Sequence, residues 1–179
     1  LSEDSKVGCN SIEFLCAAEH FESGLHVSIA RLFAFVGPHL PMDAGYAVGN
    51  FIGDALHGRP IAIGGDGTPM RSYLYAADLA WWLWTVLLSG EAGRPYNVGS
   101  DSELSILDLA RTVAEVLGGE VTVARQPVPG AAPARYVPDI TRARAELGLE
   151  PAVSLREGIE RTAAWWHATR PTSENGQTR

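Results

Sequence analysis

The stretch NFIGDALHGRPIAIGGDGTPMRSYLYAADLA, Asn50 to Ala80, decides the class of fold. Its first residues close an apolar helical run that spans Ala44 to Leu56, and Gly58 just past the end supplies a helix stop. Pro60 to Gly64 then alternates as a short strand, Gly64-Gly65-Asp66-Gly67 is a turn that predicts a hairpin, and Met70 to Tyr75 is a second short strand. A hydrophobic helix from Asp78 to Leu88 follows, with Asp78 as its N-cap. Helix, strand, strand and helix within so few residues point to an α/β fold.

The same alternation extends outward. Asn10 to Glu22 carries apolar residues at helical spacing, and His26 to Phe35 reads as one buried strand ended by Gly37-Pro38. Downstream, Pro95 to Val98 and Val121 to Ala124 are strands. Ser105 to Leu117 is a helix with Ser105 as N-cap and Asp108 three residues on. Val128 to Ala134 is an aperiodic loop. Asp139 caps a helix ending near Leu147-Gly148, and Ser154 caps a last helix to about His167. The tail, 171–179, is polar and reads as disordered, which leaves 1–170 as one folded unit.

Composition limits the functions. The chain has 179 residues and a formal net charge of -7, which argues against a nucleic-acid partner, because a polyphosphate backbone requires a broad basic surface. No apolar run reaches the ~18 residues of a membrane span. Cys9 and Cys16 stand two helical turns apart, about 10 Å by helical rise and too far for a disulfide, so a cytoplasmic setting is expected. The histidines are scattered, so no metal site is expected.

A dinucleotide site would show in the glycines, as G-x-G-x-x-G between a strand and a helix. Gly64 to Gly67 fails that test because no helix follows. Gly45, Gly49 and Gly53 recur every four residues, which suits close packing of their helix more than a ligand surface. Arg71 and Arg135 sit at the edges of loops. Read alone they are surface arginines, although a guanidinium is the group suited to forked phosphate recognition.

Five segments taken together resemble the extended short-chain dehydrogenases of the NAD-dependent epimerase/dehydratase family. They are RLFAFVGP (Arg31 to Pro38), the Asn50 to Ala80 stretch, YNVGS (Tyr96 to Ser100), SILDLARTVAEVLG (Ser105 to Gly118) and RYVPDITRARAELGLEP (Arg135 to Pro151). They follow the family's order. The resemblance implies the C-terminal half of an extended Rossmann-type fold: the end of the parallel sheet plus a small substrate-binding lobe, without the N-terminal NAD-binding half.

It further implies an NDP-sugar as partner and NAD(P) as cofactor for chemistry at the sugar C4, with the cofactor loop not in this chain. Arg71 and Arg135 match positions that hold the diphosphate, and the two are expected to converge on one cleft. Asn50 and Ala34 take substrate-side positions. Ala34 replaces an asparagine that touches the substrate in the family, so the sugar's identity does not carry over. The family's catalytic Tyr-x-x-x-Lys would precede the first helix. Lys6 supplies a lysine there, but Ser2 stands where the tyrosine belongs. If Glu13 is the family's glutamate, Cys9 and Ser5 take the two places instead. Neither alignment contains the tyrosine. The implied partners beyond the sugar are a second copy in a homodimer or the missing N-terminal half. The alternative is a non-catalytic remnant or binding module.

Overall fold

The computed structural model describes residues 10–169. Lys6, Cys9, Ser5 and Ser2, and the tail expected to be disordered, therefore lie outside the described residues. Helix α1 (Asn10–Ser23) leads to strand β1 (Ile29–Leu32), strand β2 (Phe35–Val36) and helix α2 (Ala47–Leu56). Strands β3 (Ile61–Ile63), β4 (Met70–Arg71) and β5 (Leu74–Tyr75) precede helix α3 (Ala76–Ser89). Strands β6 (Pro95–Val98) and β7 (Leu104–Ser105) precede helix α4 (Ile106–Leu117), and strands β8 (Val121–Val123) and β9 (Arg135–Tyr136) lead to helices α5 (Thr141–Leu147) and α6 (Leu155–Thr169).

Four small sheets result. Parallel pairs join β1 to β6, β2 to β5 and β3 to β8, while β4 lies between antiparallel β7 and parallel β9. Two apolar cores support them. Ile52 of α2, Ile61 of β3, Leu109 and Val113 of α4 and Ile159 of α6 form one. Trp82 and Val86 of α3, Tyr96 and Val98 of β6, and Ile140 and Ala143 around α5 form the other. Each large side chain so buried contributes roughly 1.5–3 kcal/mol relative to exposure.

Local signals place several elements where the sequence puts them. Ser105 caps α4: its hydroxyl oxygen accepts the Asp108 N–H at 3.0 Å and its O–H reaches the Asp108 carboxylate at 2.6 Å. Asp139 accepts the Thr141 N–H at 2.9 Å at the start of α5, and Gly148 ends that helix in a left-handed conformation, φ 64°. Ser154 accepts the Glu157 N–H at the start of α6.

Four expectations need correction. The strand expected over His26 to Phe35 is two strands in different sheets. The chain changes partner at Phe33 and Ala34: the Phe33 N–H donates to Val98 O at 2.9 Å, while Ala34 O accepts from the Leu74 N–H at 3.1 Å. Met70 to Tyr75 divides in the same way into β4 and β5. The Gly64 to Gly67 loop is no hairpin, because β3 and β4 belong to different sheets. It is a connection held by Asp66, whose carboxylate accepts both the N–H and the hydroxyl of Thr68. Asp78 does not cap its own helix. Extended Tyr75 precedes α3, and the buried Asp78 carboxylate accepts the N–H groups of Ala152 and Val153, each at 3.0 Å, fixing the entry to α6.

Helix α1 is held to β1 by a two-pronged ion pair between Glu13 and Arg31, both contacts 2.8 Å. The rest of its apolar surface, including Ile12, Phe14, Leu15 and Phe21, is exposed. Helix α1 thus meets β1 through its Glu13 side.

Candidate substrate cleft

Residues 33–35, which carry the chain from β1 to β2, form one wall of a cleft of about 700 Å³. Tyr46 at the head of α2, Arg71 of β4, Tyr73 between β4 and β5, and Tyr136 of β9 form the others. Glycine lets α2 close this space. A Cβ on Gly49 would stand 2.3 Å from the Pro41 carbonyl oxygen, and one on Gly53 would stand 2.9 Å from Met42. Gly45, by contrast, has nothing near its Cβ position and turns the chain at φ 81° beside the cleft. Two of the three spaced glycines are therefore packing glycines, and they pack on the 41–42 segment.

The cleft is lined by aromatic and aliphatic residues, with Arg71 the one guanidinium among the described residues that line it. Arg71 donates through Nη1 to Met70 O at 2.8 Å and to Ala134 O at 3.4 Å, and among the described residues it has no carboxylate partner. A cation anchored by carbonyls and not neutralised by an acid keeps its remaining N–H donors for an anion. Phe33 and Tyr136 lie ring to ring at 4.9 Å, tilted by 32°, and offer a flat apolar face beside it. Tyr73 cannot take the part of the missing acid/base. Burial pushes its phenol up to about 12, only partly offset by Arg71, whereas proton transfer near neutral pH needs a lowered value.

The structure brings together only part of the residue set that the sequence singles out. Ala34 and Arg71 both line the cleft. Arg135 does not. In the parallel register Met70 pairs with Arg135 and Arg71 with Tyr136, so side chains alternating across the strands put Arg71 and Tyr136 on one face and Arg135 on the other. Arg135 is half exposed and donates to Glu103 at 2.6 Å. The expected convergence of the two arginines is not the arrangement found. Asn50 lies on α2, one turn after Tyr46, and its Oδ1 is buried without a hydrogen-bond partner. The residues missed at the sequence level are Phe33, Tyr73 and Tyr136. For Tyr73 and Tyr136 the signal is an aromatic within two positions of Arg71 and Arg135; Phe33 carries no such signal.

Among the described residues no group of three or more His, Cys, Asp or Glu side chains is placed to hold a metal ion, and no helix is long and apolar enough to cross a membrane. The described residues also do not fit a dinucleotide cradle, since the glycine-rich loop from Gly64 to Gly67 opens onto a strand and not onto a helix N-terminus.

Residues 10–99 match the NAD dependent epimerase/dehydratase family. UDP-glucuronic acid decarboxylase 1 of Arabidopsis thaliana is 35% identical over 154 residues, which are 86% of this chain and 35% of that protein. Among solved structures, the dTDP-glucose 4,6-dehydratase DesIV of Streptomyces venezuelae, with NAD and TYD bound, superposes with a TM-score of 0.79 at 25% identity, over 95% of this chain and 55% of that one. UDP-glucose 4-epimerase of Thermotoga maritima, with UDP-glucose, gives a TM-score of 0.78 at 27% identity, over 89% and 52%. The chain belongs to the NAD-dependent epimerase/dehydratase family and has part of its Rossmann-type α/β fold. It spans about a third of the length of the curated relatives and about half of the solved ones.

Proposed function

We propose that this chain is the substrate-binding portion of a nucleotide-sugar enzyme, and that the cleft around Arg71 holds the diphosphate of an NDP-sugar. The observation that carries the reading is the Arg71 guanidinium, steadied by two carbonyls and, among the described residues, without a carboxylate partner, in a cleft with aromatic walls. A diphosphate supplies oxygens for such a fork, and the Phe33–Tyr136 face suits the apolar side of a sugar or base. Ala34 presents a methyl group where a polar side chain would select a particular sugar hydroxyl.

Bound NAD would supply the hydride chemistry at C4 and would be held by residues outside those described. This chain's part is to bind and orient the sugar nucleotide. Arg135 lies on the other face of its strand and is paired with Glu103, so Arg71 carries the phosphate contact. The experiment is a calorimetric titration of the intact protein with UDP and dTDP, repeated on Arg71→Ala. Saturable binding weakened about tenfold or more by the substitution supports the reading, since a charge-assisted hydrogen bond contributes roughly 1.5–3 kcal/mol. Binding that ignores the substitution refutes it.

A further inference from the structure

His39 is the one non-glycine residue with a positive φ, 64°, among the described residues. A left-handed backbone is unfavourable for a residue with a side chain, and it persists where the surrounding structure holds the chain in a functional shape. Here a ring contact does the holding. The His39 imidazole lies against the indole of Trp165, near the end of α6, with centroids 4.4 Å apart and planes tilted by 51°. His39 is exposed and Trp165 half-buried. Neither belongs to the apolar cores, so core packing does not account for the contact.

The next two residues show where the contact acts. Leu40 and Pro41 line the cleft that also holds Arg71. The Leu40 N–H donates to Gly37 O at 3.3 Å, closing a tight turn around Pro38 and His39. Gly37 fits because it lacks a side chain, since a Cβ there would stand 2.4 Å from that of Ala76. Gly49 of α2 leaves room for the Pro41 carbonyl in the same way. The segment is thus pinned at Gly37 and against α2, and the Trp165 ring is a third point of attachment, from α6. That helix is a firm support, because Ile159, Thr162 and Ala163, on the turns before Trp165, are buried.

We propose that Trp165 is a positioning residue for the cleft: through His39 it holds the Leu40–Pro41 wall in the place, relative to Arg71, that a bound nucleotide sugar requires. This role rests on the reading of the cleft as a nucleotide-sugar site. Among the described residues none from α6 lines the cleft, so Trp165 acts through another side chain and not by touching the ligand. The adjacent Trp166 makes a different contact. Its ring meets that of His57 edge-on, with centroids 5.4 Å apart. His57 is the C-cap of α2, about 15 Å along the helix from Ala47 at the cleft.

Titration of the intact protein with UDP, together with hydrogen exchange of the unliganded protein, tests this role. Trp165→Ala is expected to weaken UDP binding roughly three- to tenfold, as loss of one ring contact does, and to speed exchange of the Leu40 N–H. Trp165→Phe keeps a ring and should bind close to wild type. His39→Gly separates positioning from stability. Glycine accepts φ 64° without strain, so the melting temperature should hold or rise while affinity falls as in Trp165→Ala. Trp166→Ala should lower the melting temperature and leave affinity unchanged. Wild-type affinity in both Trp165→Ala and His39→Gly, with Arg71→Ala still weakened, overturns the positioning role and leaves the reading of the cleft standing. So does a loss confined to Trp165→Ala, or one that Trp166→Ala shares. Wild-type protein that does not bind UDP overturns the reading of the cleft, and this role with it.

Discussion

Arg71 and Tyr136 stand opposite one another as register partners on adjacent parallel strands, and both face the same cleft. The pairing of β4 with β9 thus sets a cation beside an aromatic face. Tyr136 stacks on Phe33 and is partly exposed at the cleft. Replacing it with alanine should leave the melting temperature nearly unchanged and weaken nucleotide-sugar binding by roughly two- to tenfold, from about 0.5–1.5 kcal/mol of ring contact. Tyr136→Phe should bind like the wild type, because the ring carries the effect. Parallel titrations of the two variants check this.

The Glu13–Arg31 pair makes an acid-sensitive tie between α1 and β1. Hydrogen bonding to the guanidinium holds the Glu13 carboxyl below its ordinary 4.5. A lowered carboxylate stabilises the fold above the unfolded-state value and loses that contribution as the pH falls through the folded one. Glu13→Gln should therefore lower stability by about 1 kcal/mol at neutral pH, and the difference should vanish in strong acid. Denaturant melts at several pH values measure it. A difference independent of pH would exclude the ion pair as its source.

Asp78 joins α3 to the start of α6 through two backbone N–H groups. Asp78→Ala removes the acceptor of two part-buried N–H groups, each hydrogen bond contributing roughly 0.5–1.5 kcal/mol, or more for a charged acceptor. The expected result is a drop of several degrees in melting temperature. Asp78→Asn, which keeps an acceptor oxygen, should recover part of the loss.

Gly49→Ala places a methyl 2.3 Å from the Pro41 carbonyl oxygen. The wall of the cleft formed by Leu40 and Pro41 must then shift, at a cost of roughly 1–3 kcal/mol. Both the melting temperature and nucleotide affinity should fall. Gly45→Ala meets no neighbour, yet φ 81° disfavours any side chain, so its effect should be a smaller loss of stability, from backbone strain alone.

Much of this architecture was legible because local chemistry fixes it. The Ser105 cap, the amphipathic α4 and the apolar β6 need only neighbours in sequence. The partner change at Phe33 and Ala34 was not legible, since periodicity reports which residues are buried and says nothing of which strand pairs with them. Strands β7 and β9 are two residues each, too short for any alternation to show. The cleft was half readable. Arg71 could be named from its surroundings, but whether Arg135 joined it depended on a one-residue register between β4 and β9, a relation between segments distant in the chain. Asp78 was misread for a similar reason, since its acceptors' partners lie near residue 152.

Titration of the intact protein with a nucleoside diphosphate, wild type against Arg71→Ala, reads the proposed contact between Arg71 and a diphosphate directly. The expected result is saturable binding that weakens about tenfold or more without the guanidinium, that responds to salt as a charge contact does, and that is recovered only in part by Arg71→Lys, which lacks the fork. Equal affinity in the wild type and Arg71→Ala, with both proteins folded, would contradict it.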